Sequence, residues 1–101
     1  MTTIRIFRTE GHITAVTVEG HTGYAEEGSD IVCAAVSTLT QGALLGVRKV
    51  AGVDAESKVS DGRLTFRLAK YNDKSDAILE TMRLALLDIS EGYSRYIRME
   101  E

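Results

Sequence analysis

Two turn signals give this chain a repeated order, and that order most limits how it can fold. Ser60-Asp61-Gly62 lies between alternating runs at residues 55–59 and 63–68. Asp-Gly in that setting is a strong hairpin signal, because the tight turn needs backbone angles that glycine and aspartate tolerate. Glu10-Gly11 separates a similar pair of runs. In residues 3–9, Ile4 and Ile6 alternate with Arg5, Phe7 and Arg8, and in residues 13–19, Val16 and Val18 share a face. Each hairpin is followed by a long segment with helical periodicity. Residues 96–99 alternate weakly and can add an edge strand. The expected order is ββαββα(β), an α+β fold of one domain, 1–101, with two helices packed against antiparallel hairpins or a sheet.

The first helix is expected to start at Asp30, with Asp30 or Ser29 as its N-cap, and to run to about Ala51. Gly52 is a natural terminator. Val32, Val36, Leu39, Ala43, Gly46, Val47 and Val50 fall near helical spacing and form its expected core stripe. Gly42 and Gly46 each cost about 1 kcal/mol against alanine. Four residues apart, they share a face and let another element approach closely. The second helix is capped by Asn72 or Asp73 and continues to about Tyr93, with Ile78, Met82, Ala85 and Ile89 inward. Leu84, Leu86 and Leu87 widen its apolar surface beyond one stripe. Such a helix is either sandwiched between layers or shared with another subunit.

Composition narrows the function classes. The 101 residues are 44% hydrophobic and 27% charged, ordinary values for one globular domain. Net charge is −3 and no Lys/Arg cluster stands out, which argues against direct nucleic-acid binding. No apolar run approaches the roughly 18 residues of a membrane span, and Met1-Thr2-Thr3-Ile4-Arg5 lacks the apolar centre of a signal peptide. The single cysteine cannot form an internal disulfide, so a reducing, cytoplasmic setting is the simplest expectation. It also excludes an internal zinc site of the multi-cysteine kind. Neither a metal nor a cofactor is expected.

That cysteine, Cys33, stands near the expected helix start, twelve residues after His21. Helix N-termini and nearby imidazoles are two common ways in which proteins favour a reactive thiolate. The helix alone contributes on the order of 1 kcal/mol, so an imidazole has to supply the rest. His21 follows the end of a strand and Gly20, which lets the chain turn back toward the helix. His12 lies at the other end of that strand, roughly 25–30 Å away along its axis. Taken without context, such a cysteine is more often a small buried hydrophobe. Asp30 is most economically a helix cap, and Ser37 a hydroxyl bonded back within its own helix. Gly20, Gly23 and Gly28 read as turn residues and Tyr24 as a solvated loop residue.

The segment Gly20-His21, then a Gly/Tyr/Glu-rich loop, then Gly28-Ser29-Asp30-Ile31-Val32-Cys33-Ala34-Ala35-Val36-Ser37 closely resembles the ribosomal-processing cysteine protease Prp family. The resemblance extends over nearly the whole chain in length and element order. It implies a cysteine endopeptidase with Cys33 as nucleophile and His21 as general base. Gly20, Asp30 and Ser37 match supporting positions, and Gly23, Tyr24 and Gly28 fall in a substrate loop. The implied substrate is the precursor of a large-subunit ribosomal protein, the twenty-seventh in the standard naming. Removal of its N-terminal extension would support ribosome assembly. A cleft accepting aromatic side chains and a homodimer are implied as well. The alternative is a non-catalytic ribosome-associated binding module whose cysteine is buried and inert. A redox thiol protein is disfavoured, since no resolving cysteine is present.

Overall fold

The computed structural model describes residues 1–20 and 29–101, without the side chains of Ser29 and Asp30. Among these residues the order is β1 (Thr2–Thr9), β2 (His12–Glu19), α1 (Ser29–Lys49), β3 (Ala55–Ser60), β4 (Arg63–Leu68), α2 (Asp73–Gly92) and β5 (Ile97–Glu100). The strands form one sheet in the order β3-β4-β2-β1-β5. Both hairpins fold as their turn residues predict, with Gly11 and Gly62 at positive φ. The sheet is mixed rather than purely antiparallel, because β5 runs parallel to β1 on the far edge. A parallel neighbour requires a crossover, and α2 supplies it.

One sheet face carries the core. Ile4, Ile6, Ile13, Val16, Phe66 and Ile97 are buried there with Val32, Val36, Val47, Leu79, Met82 and Leu86 of the helices. Ile13 and Val16 share this face although they are three residues apart. The β1–β2 register slips between Phe7 and Arg8, which leaves Thr14 as an extra residue and breaks strict alternation. The opposite face bears paired charges: Glu19 binds Arg5 at 2.8 Å and Arg63 at 2.7 Å.

α1 differs from its sequence reading in three ways. It starts at Ser29, so Asp30 is its second residue and Cys33 its fifth, deeper than a cap at Asp30 would place them. It ends at Lys49, and Gly52 at φ +67° lets the Val53 N–H close onto the Val47 carbonyl at 3.0 Å. Val50 lies beyond this end and is 64% exposed, while Thr40 and Leu44 take buried places instead. Thr40 is tolerated because its hydroxyl donates to the Val36 carbonyl at 2.9 Å. Over Ile31–Lys49 the helix is long and apolar enough to cross a membrane, with mean hydropathy 1.4, contrary to the expectation that no run came close. In this fold its buried side chains belong to the core beneath the sheet.

α2 is capped by Asn72, whose side chain accepts from the Ser75 N–H while the Ser75 hydroxyl accepts from the Asn72 N–H. Its deepest side chains are Leu79, Met82 and Leu86, with Ile78 and Ile89 on the flank. Of the expected inward stripe only Met82 is buried, and Ile78, Ala85 and Ile89 are half-buried, because the wide apolar surface of this helix also allows a stripe centred on Leu79 and Leu86. Close helix contact is borne out at one glycine only. A Cβ on Gly46 would lie 3.3 Å from Ile78, whereas one on Gly42 would meet nothing within 4 Å. Gly42→Ala should therefore raise stability by about 0.5–1 kcal/mol through helix propensity. Gly46→Ala should gain less or lose, as urea unfolding of the two variants will show.

Arg8 of β1 reaches Glu80 of α2 at 2.8 Å, and Glu80 also meets Arg83 at 2.9 Å. The Arg83 hydrogen bond, then Arg8, hold the Glu80 carboxyl below its usual range. A lowered carboxyl favours the fold above its unfolded value and loses that contribution as pH falls through the folded one. Glu80→Gln should thus lower Tm near neutrality by a few degrees at most, as suits an exposed pair. The difference should fade as pH falls through the lowered range of the folded carboxyl, a loss that thermal melts across the acid range will reveal.

Candidate active site

Cys33 lies half-buried on α1, one turn from its start. Helical Cβ bonds tilt toward the N-terminus, so its sulfur is directed back over the first turn. The N–H groups of Ser29, Asp30 and Ile31 belong to that turn and have no intrahelical acceptor among the described residues. The Cys33 N–H falls beyond them, inside the regular ladder.

The sulfur borders a cavity of about 200 Å³ between α1, the end of β2 and the β3–β4 turn. Ser37 and Gln41 line it from the helix, Val59 and Arg63 from the hairpin, and Thr2 from β1. Ser37 is exposed and shares this cavity with Cys33, as their spacing on the helix predicts. Gly20 closes one side. Its φ is +91°, a Cβ there would collide with the Met1 carbonyl oxygen, and its N–H donates to the Gly62 carbonyl at 2.9 Å. Only glycine fits this close passage of three chain segments.

His21, Gly23, Tyr24 and Gly28 lie outside the described residues. Asp30 is helical, and its side chain is also outside them. His12 is engaged elsewhere, as its place at the far end of β2 predicts. Its Nδ1 lies 2.7 Å from Asp76 Oδ2, and its ring stacks on Tyr71 at 3.8 Å. Burial, then Glu10, raise the Tyr71 phenol above its usual range. This cluster fastens the first hairpin to the start of α2. Among the described residues no group of His, Cys, Asp and Glu could hold a metal ion.

Two features of the site went unread in the sequence. Thr2 places its hydroxyl 3.8 Å from the Cys33 sulfur. The alternation Thr2, Ile4, Ile6 carries that signal, since it puts all three on the buried face. Val59, 73% exposed on edge strand β3, stands over the cavity. An edge strand offers unpaired backbone groups to an extended polypeptide, so the thiol has a peptide-sized surface beside it.

Residues 1–98 match the family described as cysteine protease Prp. The ribosomal processing cysteine protease Prp of Staphylococcus aureus is 31% identical over 93 residues, 89% of this chain and 88% of the relative. The crystal structure of Prp from S. aureus in complex with a substrate peptide superposes with a TM-score of 0.90 at 31% identity. It covers 99% of this chain and 98% of the other. A second S. aureus structure, with a covalently linked product peptide, has a TM-score of 0.86 at 32% identity over the same shares. A thiol at the mouth of a cavity, half-open rather than sealed as an inert cysteine would be, agrees with that kinship. The chain is a cysteine protease and belongs to the Prp family.

Proposed function

We propose that this protease removes the N-terminal extension of a large-subunit ribosomal protein, the twenty-seventh, with Cys33 as nucleophile and His21 as general base. The observation that carries the reading is the position of the chain's sole cysteine, half-open at a cavity beside an edge strand. The S. aureus relative crystallised with a covalently linked product peptide supports covalent catalysis on this fold. Gly20 turns the chain beside that cavity, and His21 is the next residue. His12, the other histidine, is held by Asp76 and Tyr71 at the opposite end of β2.

In this mechanism His21 takes the Cys33 proton, and the sulfur attacks the scissile carbonyl. N–H groups of the first turn of α1 stabilise the oxyanion. His21 then protonates the departing amine, and water hydrolyses the thioester. Asp30 and Ser37 support the site. The loop containing Gly23, Tyr24 and Gly28 contacts the substrate. The reading also includes a cytoplasmic enzyme acting as a homodimer, with no nucleic acid or cofactor required. The apolar groove between α1 and α2 and the 56% exposure of Leu84 support a second subunit.

Cys33→Ala should abolish cleavage of the extended ribosomal protein while leaving the melting temperature near wild type. Cys33→Ser should bind the precursor but turn it over far more slowly. His21→Ala should lose activity at neutral pH by about 10²–10⁴-fold. Mass spectrometry of the new N-terminus is the readout, and undiminished cleavage by Cys33→Ala would overturn the assignment.

A further inference from the structure

Thr2 is a polar residue in an apolar place. It is 2% exposed, at the start of the strand that also buries Ile4 and Ile6. Its backbone is fixed on both sides. The Thr2 N–H donates to the Tyr96 carbonyl at 2.8 Å, Thr2 faces Ile97 in the parallel ladder, and Thr3 faces Glu19 in the antiparallel one. A buried hydroxyl is costly unless it finds a partner. Among the described residues, the partner of Thr2 Oγ1 is Cys33 Sγ, at 3.8 Å. An aliphatic residue at this position would keep the same packing without that contact.

Resting on the reading of Cys33 as nucleophile, we infer that Thr2 is a positioning residue whose hydroxyl donates a hydrogen bond to the Cys33 thiolate and favours that form over the thiol. While Cys33 carries its proton, either atom can donate. Once the proton has moved to the base, sulfur has only lone pairs to offer, and the hydroxyl must be the donor. Hydrogen bonds to an ionised acceptor are stronger than those to a neutral one, so the contact gains strength as the proton leaves. It also holds the sulfur at one side of the cavity, facing the end of β1. The role precedes peptide binding, because neither Thr2 nor its bonds depend on an occupant. Its effect should therefore appear in the attack step and not in substrate affinity.

The test is Thr2→Val, which keeps the branched shape and strand preference while removing the hydroxyl, with Thr2→Ser as the rescue. The rate of Cys33 alkylation by iodoacetamide is measured across pH without substrate, alongside kcat and KM for an extended ribosomal peptide. In Thr2→Val the alkylation profile should move up by about one pH unit. Reactivity at lower pH should fall about tenfold, and kcat should fall with KM unchanged. Thr2→Ser should restore the wild-type profile. Should Thr2→Val fail to fold, Thr2→Ser against Thr2→Ala makes the same comparison. An unmoved profile in the variant lacking the hydroxyl, or one that serine fails to restore, overturns the inference. Cys33→Ala serves as the control. If it still cleaves, the nucleophile reading fails, whereas an essential Cys33 with an unmoved profile sinks the Thr2 inference alone.

Discussion

Strand β1 is the element on which both core and site depend. It is hydrogen-bonded along both edges, antiparallel to β2 and parallel to β5. Ile4 and Ile6 on its inner face anchor the core under the helices, and Thr2, on that same face, meets the sulfur on α1. The alternation that buries the isoleucines therefore also brings a hydroxyl to the reactive atom. Disturbing this strand's register by one residue would expose the isoleucines and withdraw Thr2 together.

The charged face and the far end of the sheet are organised separately from the thiol. Glu19 joins Arg5 and Arg63 across three strands, so the guanidinium of Arg63, a residue that also lines the cavity, is already paired. His12, Tyr71 and Asp76 fasten the first hairpin to α2 at the other end of β2. Two histidines in one small chain thus have different fates. One has a carboxylate and an aromatic ring for partners, and the other follows the glycine that turns beside the cavity.

Local signals were read well from the sequence. Asp61-Gly62 and Glu10-Gly11 fixed the hairpins, Asn72 the start of α2, and Gly52 the stop after α1, because each depends on neighbouring residues alone. The Gly-His and Asp-Ile-Val-Cys-Ala segments marked the family. Nonlocal features were less legible. The bulge at Thr14 shifts which residues of β2 face inward, the Leu-rich surface of α2 allowed several phases, and nothing near residue 97 says that its partner is β1. Thr40 and Thr2 were missed for a shared reason. Each is a polar residue whose burial is affordable only through a hydrogen bond that composition does not display.

The pairing of β1 with β5 joins residues 2–5 to residues 97–100. Closing so long an interval costs more chain entropy than either hairpin, whose ends are neighbours in sequence. Contacts of this separation contribute most to slow folding. The hairpins and helices can gather before that seam is zipped, but the Thr2 N–H gains its carbonyl partner on Tyr96 only when the seam closes. The neighbour of the sulfur is thus seated by the most entropically demanding strand pairing of the sheet, and Thr2 takes its place beside the thiol only when β1 and β5 have met.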